Sequence, residues 1–326
     1  MKTKSSPALL AAAATCLLPL LVLAAQQAPT TGPRPQPDAK TQEAGLGLTG
    51  PANPKLPSLI LVGDSTVRNG HGMGSDGLWG WGAPIADLFD PTKINVVNRA
   101  IGGTSSHSYM AGGHWVSDLE MIKPGDFVLI QFGHNDGGVN LPGAKPVPDQ
   151  GLLPGTAPPP PPPGAAPRAP NGRGSLPGIG EETLDVVSPR DGSHELVHTF
   201  GWYMRKYVAD TKAKGATPIL CSLVPRKLWM DGHIIRNTST YRGWTQQVAA
   251  AEHVGFVDLN EIIARRYDAL GQAAVDPLFG DPHTHTTLAG AQLNAECVVA
   301  GLRALPGDPL GPYLSPKGKA IKTYVA

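Results

Sequence analysis

The chain has 326 residues, enough for one large domain or two small ones. Only 16% of residues are charged and 6% aromatic, while Gly (40) and Pro (34) are abundant, so a compact domain with long loops and some unstructured sequence is expected. The net charge of +1 and the lack of a basic run argue against nucleic acid as a partner.

Lys2 and Lys4 precede an apolar run from Ala8 to Ala25 that ends in small residues. This is the pattern of a secretory signal peptide over residues 1–25, cut near Ala24 or Ala25, and export to the periplasm or beyond is the expectation. Pro19 and the shortness of the run disfavour a permanent anchor, and no second run could span a bilayer. Signal removal takes Cys16 with it. Cys221 and Cys297 remain, read as two buried thiols with one disulfide as the alternative.

Residues 26–56, rich in Gln, Pro, Gly and Thr, are expected to form a flexible lead-in. The first strand covers about 58–62: four apolar residues, Leu59–Val62, run into Gly63-Asp-Ser65, a buried strand ending in a tight turn that presents a hydroxyl. A Gly-rich stretch, Gly77-Leu-Trp-Gly-Trp-Gly82, precedes a short helix near 83–89. Trp79 and Trp81 are read as packing residues rather than sugar platforms. A second strand, Ile94–Val97, leads into Asn98-Arg-Ala-Ile-Gly-Gly-Thr-Ser-Ser106, and a helix is expected near 114–121. Asp126–Phe132 is a third strand, ending at Gly133-His-Asn-Asp136.

Residues 139–180 change character around six consecutive prolines, Pro158 to Pro163. Such a run favours extended polyproline II and cannot enter a sheet, so an exposed loop insertion is expected. A long helix is then read from Ser193 as N-cap to Gly215, with Leu196, Val197, Phe200, Met204, Tyr207 and Val208 on one face. Pro218–Val224 and Val254–Asp258 are the fourth and fifth strands, and helices are expected over 239–252 and 259–270. Asp281-Pro-His-Thr-His285 precedes a last helix with Leu288, Ala291, Ala295, Val298 and Leu302 on one stripe. Strands and helices alternate, and the strands are apolar throughout. A parallel sheet covered on both faces follows, as one domain over about 57–316 with a tail at 317–326.

The loops at the strand ends carry distinct chemical tools. Ser65 offers a hydroxyl, Gly102-Gly103 a close backbone approach, Asn135 an amide donor, and His285 with Asp281 a base and its orienting acid. A serine hydroxyl attacks an ester when a base takes its proton. A neutral imidazole, with an ordinary pKa of about 6.5, does this at mild pH. A zinc site from Asp281, His283 and His285 is the competing reading, but it leaves Ser65, Gly103 and Asn135 without a purpose.

These blocks, in this order, resemble the SGNH (GDSL-type) hydrolase superfamily. Within it the chain is similar to rhamnogalacturonan acetylesterases. The likeness extends to Arg173-Gly-Ser-Leu-Pro-Gly-Ile-Gly-Glu-Glu182, Ser222-Leu-Val-Pro-Arg226 and His283-Thr-His-Thr286. The resemblance implies a three-layer α/β/α sandwich of flavodoxin-like type with a parallel five-stranded sheet. It implies no metal and no cofactor, and removal of acetyl groups from plant cell-wall polysaccharide. By position, Ser65 matches the nucleophile, His285 the base and Asp281 the acid, while Ser65, Gly103 and Asn135 match the oxyanion donors. One departure stands out: the family's Asp lies three residues before the His, where this chain has Pro282, and Asp281 lies four before.

Arg226, Arg236 and His134 are candidate substrate contacts, with Arg242 considered beside them. Paired hydrogen bonds from arginine would suit galacturonate carboxylates. The competing readings are a solvated surface for the arginines and a structural role for His134 and His107. The same fold acting on acetylated xylan or small esters is the nearest functional alternative, and a catalytically inactive carbohydrate-binding protein is a more distant one.

Overall fold

A computed structural model describes residues 1, 39–68, 74, 76–137, 172–187 and 192–325. From residue 39 onward these belong to one compact unit. The signal segment, the first part of the lead-in and the six prolines lie outside the described residues.

Five strands form one parallel sheet: β1 (Ser58–Gly63), β2 (Asn95–Asn98), β3 (Phe127–Gln131), β6 (Thr217–Cys221) and β9 (Gly255–Val257). Their order is β2-β1-β3-β6-β9. In sheet-strand terms this is 2-1-3-4-5, the flavodoxin-like arrangement with its crevice at the carboxyl ends. All six β1 residues are buried, because alternate side chains meet cores on opposite faces. Leu59, Leu61, Leu129, Ile219 and Val257 face one core and Ile60, Val62, Val128, Ile130 and Leu220 the other.

The helices are α1 (Ala39–Gly45), α2 (Ser106–Ala111), α3 (His114–Met121), α4 (Phe200–Ala213), α5 (Tyr241–Ala251), α6 (Leu259–Leu270), α7 (Gln272–Val275), α8 (Leu288–Arg303) and α9 (Pro316–Ala320). Residues from α6 and α8 and the 3-10 turn Pro84–Leu88 fill the first core, and residues from α2 to α5 fill the second. Cys221 and Cys297 are free and buried. No helix among the described residues is long and apolar enough to cross a membrane.

Two expectations are corrected and two unforeseen elements are added, four differences in all. The helix expected from Ser193 begins at Phe200, capped by Thr199, whose side chain accepts from the Trp202 N–H. Before it, β5 (His194–His198) pairs antiparallel with β4 (Thr183–Val187). Second, a small hairpin, β7 (Trp229–Met230) with β8 (His233–Ile234), follows β6. Third, the tail contributes α9, and Tyr324 N–H donates to Ala300 O at 3.0 Å.

Finally, part of the lead-in is helical and docked. Glu43 of α1 is only 5% exposed. It pairs with Arg99 and accepts from Ser117 Oγ at 2.9 Å, and His114 Nδ1 lies 3.2 Å away. Arg99 Nε also donates to Asp118 Oδ1 at 2.7 Å, and Tyr109 OH donates to Asp118 Oδ2 at 2.7 Å. Burial pushes Asp118 up to about 6 against the pull of Arg99. Burial also opposes charge on Glu43, but Arg99 and His114 outweigh it and hold that carboxyl below its ordinary value.

Removing one partner from a buried ion pair leaves the other uncompensated, which typically costs about 3–5 kcal/mol. Arg99→Ala is expected to lower unfolding stability by about that amount, read as a shift of the urea midpoint without a change in slope.

Candidate active site

Every loop of interest emerges at the carboxyl edge of the sheet or faces it. Ser65 lies in the turn after β1. Asp64 shapes that turn: its Oδ1 accepts from Thr66 N–H at 2.9 Å and Thr66 Oγ1 at 2.7 Å, while its backbone carbonyl accepts from Val67 and Arg68. Gln131, at the end of β3, donates to Thr66 Oγ1 at 2.6 Å and accepts from Trp81 Nε1 at 2.8 Å. Trp81 is thereby a buried packing residue. Gly63 is required here, since a Cβ would lie 2.6 Å from both Gln131 O and Val67 Cγ2.

The loop before α8 delivers His285 to Ser65. Ser65 Oγ and His285 Nε2 are 2.8 Å apart. His285 Nδ1 lies 2.6 Å from Asp281 Oδ2. Asp281 Oδ1 accepts three backbone N–H groups, from His283 at 3.0 Å, Thr284 at 2.6 Å and His285 at 2.9 Å. The loop therefore curls around its own carboxylate, and the extra residue, Pro282, is absorbed in that curl. Burial works against charge on Asp281, but the His285 and Thr284 amides and the His285 ring outweigh it, so its carboxyl stays below the ordinary value. Both His285 ring nitrogens are engaged, which leaves the zinc reading no imidazole nitrogen there.

Gly103 is the third residue of a turn closed by Thr104 N–H to Ile101 O at 3.3 Å, and its φ of +78° is one glycine adopts without a Cβ clash. Among the described residues, neither the Ser65 nor the Gly103 N–H donates to a protein acceptor. Asn135 Nδ2 donates to Thr104 O at 2.9 Å, which fixes the amide beside the same turn. Ser65, Gly103, His134, Asn135, Arg226 and His285 share one cleft of about 500 Å³, together with Leu46, Ile101, Gly102 and Thr284.

The geometry is that of a hydroxyl, an imidazole and a carboxylate in line, with backbone and amide N–H groups alongside. Such a set can transfer an acyl group through a tetrahedral oxyanion. The description "GDSL-like Lipase/Acylhydrolase family" belongs to a family model that matches residues 61–293.

The chain belongs to this family of ester hydrolases.

Rhamnogalacturonan acetylesterase of Emericella nidulans is 29% identical over 239 residues, covering 73% of this chain and 82% of that protein. A probable rhamnogalacturonan acetylesterase of Bacillus subtilis, YesY, is 27% identical, covering 77% of this chain and 94% of its own length. The solved structure of protein YxiM of Bacillus subtilis superposes with a TM-score of 0.54 at 22% identity, over 76% of this chain and 56% of that one, and shows the shared fold.

The other candidates separate. Arg226, in the loop after β6, lines the cleft and donates through Nη1 to Thr284 Oγ1 and, at 3.3 Å, to His283 Nδ1. Burial and the Arg226 charge hold His283 below its ordinary value, so its Nδ1 can accept. Arg236 does not line the cleft: it pairs with Asp268 at 2.7 Å and Glu261 at 3.4 Å. Arg242 is likewise taken by Asp258 at 2.7 Å. His134 lines the cleft with both ring nitrogens buried and without a hydrogen-bond partner among the described residues. Burial, then Arg226 and His285, push it well below its ordinary value. His107 is structural, donating through Nδ1 to Gly174 O at 2.9 Å.

Sequence reading missed Asp136, although it adjoins Asn135. Its Oδ1 accepts from Ser106 N–H at 3.0 Å, from Ser106 Oγ and from Ser175 Oγ at 2.9 Å, and its carbonyl accepts from Ser175 N–H. One carboxyl thus joins the loops after β2 and β3 to the segment at 173–176. Burial pushes it up to about 6 against those bonds. A carboxyl raised in the folded state contributes stability that is lost as pH rises through about 6. Asp136→Ala, which strands three buried donors, is expected to lose about 3 kcal/mol or more at pH 7. Asp136→Asn, which keeps the accepting oxygen and mimics the protonated acid, should melt closer to wild type. Equal losses in thermal unfolding would contradict this assignment.

Proposed function

We propose that the protein is an exported serine esterase that removes acetyl groups from pectic rhamnogalacturonan. The observation carrying the esterase mechanism is the continuous relay from Ser65 Oγ to His285 at 2.8 Å and on to Asp281 at 2.6 Å. Ser65 Oγ attacks the acetyl carbonyl carbon while His285 Nε2 takes its proton. Asp281 holds the Nδ1–H tautomer and stabilises the imidazolium. The oxyanion accepts from the Ser65 and Gly103 N–H groups and the Asn135 amide. On collapse, the bond to the sugar oxygen breaks and His285 gives that oxygen the proton. Water, deprotonated by His285, then attacks the acetyl-enzyme, releasing acetate and restoring Ser65.

The substrate reading is supported by the relatives named as rhamnogalacturonan acetylesterases and by Arg226. This guanidinium lines the cleft; Asp64 and Asp281 act on it through space, but no carboxylate among the described residues forms an ion pair with it. A cation held in a cleft favours an anionic ligand, and a galacturonate carboxylate fits its planar fork. Export is supported by the Lys-flanked apolar run that ends at Ala25. The partner is then an acetylated cell-wall polymer, with no nucleic acid and no cofactor.

Acetate release by the mature protein from acetylated rhamnogalacturonan should exceed that from acetylated xylan. Ser65→Ala should lower both by at least about 10³-fold. Preference for xylan would keep the mechanism and remove the pectic substrate. Arg226→Gln should reduce kcat/KM on the uronate polymer at least about tenfold more than on acetylated xylan. Equal losses would leave Arg226 as a support for Thr284 alone.

Because Asp281 is held below its ordinary value, it stays ionised in mildly acidic solution and does not titrate beside the general base. The acid limb of kcat/KM should therefore have unit slope. A slope of two would show both groups titrating together.

A further inference from the structure

The cleft has one hydrocarbon wall, and half of it comes from outside the matched family segment. Of the described lining residues, only Leu46 and Ile101 carry wholly hydrocarbon side chains. The family match begins at residue 61, so Leu46 precedes it. Leu46 follows α1, a helix of seven residues. Helices that short are not stable alone in water, so the order of this segment comes from its attachments.

Those attachments are specific. Glu43 is buried against Arg99, His114 and Ser117. Leu46 N–H donates to Gln42 O at 3.0 Å and Leu48 N–H to Glu43 O at 2.9 Å, around Gly47 with its φ of +66°. At the other end Arg68 Nη2, three residues beyond Ser65, donates to Leu46 O. The strap 39–48 is thus fastened to α3 and the end of β2 on one side and to the Ser65 turn on the other.

The tetrahedral intermediate has four substituents on carbon. In the mechanism above, one is Ser65 Oγ, one the oxyanion at Gly103 and Asn135, and one the sugar oxygen at His285. The fourth is the acyl methyl, and the wall left for it is the hydrocarbon one. We propose that the strap 39–48 forms the acyl-binding wall and that Leu46 limits the acyl chain accepted to about acetyl length. This rests on the esterase reading. Glu43 acts as a positioning residue, holding Leu46 through α1.

The test compares kcat/KM on p-nitrophenyl acetate, butyrate and hexanoate. Leu46→Ala should raise the butyrate-to-acetate ratio about tenfold, the scale of one or two methylenes in an apolar pocket. Glu43→Gln, which weakens the anchor without touching the wall, should move the same ratio in the same direction. It also serves should Leu46→Ala fold poorly. An unchanged ratio in a folded variant of either kind would overturn the proposal. A wild type inert on all three esters and on the polymers would instead overturn the esterase reading, and the strap's role with it.

Discussion

Ser65 and His285 are 220 residues apart in sequence yet must meet within 2.8 Å. The constraint that makes this happen is a four-residue backbone strip, 79–82. On one side Trp79 N–H donates to Thr286 O at 2.7 Å and Thr286 Oγ1 donates back to Trp79 O at 2.8 Å. On the other, Trp81 and Gly82 N–H groups donate to Thr66 O and Val67 O at 3.0 and 2.9 Å. One short strip therefore sets the serine turn and the histidine loop in register. It can lie this close only without side chains at positions 80 and 82: a Cβ on Gly80 would be 2.3 Å from Val67 O, and one on Gly82 would be 2.5 Å from Asn98 Nδ2. The Trp79-Gly-Trp-Gly82 pattern is the sequence expression of that approach, with Trp81 locked to Gln131 beneath it.

The polar groups around the cleft follow one logic. Each loop is tied down by a carboxyl that accepts several N–H or O–H groups: the buried Asp64 for the serine turn, the buried Asp136 for the loops after β2 and β3, and the half-buried Asp281 for the histidine loop. Hydrogen bonds of this kind are strong where water is excluded, and the Asp136 and Asp281 carboxyls each fix more than one residue. Their protonation differs with their surroundings. Burial raises Asp64 and Asp136, whereas three amides and an imidazole hold Asp281 down. The carboxyl in contact with the His285 imidazole is thus the one held below its ordinary value.

Much of this was legible in the sequence because it is local. The five sheet strands are built around short apolar runs, and the serine, glycine, asparagine and histidine blocks sit directly at their ends or before α8. What was missed is non-local. Leu196, Val197, Phe200 and Met204 satisfy a helical spacing, but the pairing of β5 with β4 decides the conformation of 194–198, and the true cap is Thr199. Glu43 looked like part of a polar leader because its partner, Arg99, is 56 residues away. Arg226, Arg236 and Arg242 look alike in sequence. Only folding shows that acids on α6 or at its start take two of them and leave Arg226 in the cleft.

The displaced Asp281 shows which feature of the site is under physical constraint. A carboxylate that orients an imidazole must reach Nδ1 with one oxygen and be held by the other. Three residues of separation is one solution and four is another, provided the additional turn can be stabilised. Here the backbone N–H groups of His283, Thr284 and His285 converge on Oδ1, so the loop's own amides supply that stabilisation. Pro282 suits the position because it has no N–H to satisfy and its fixed φ helps the chain bend back. Arg226 braces the far side through Thr284 and His283. Spacing in a motif is therefore a proxy for oxygen-to-nitrogen geometry, and the geometry can survive an insertion when the inserted residue leaves the amides pointing inward.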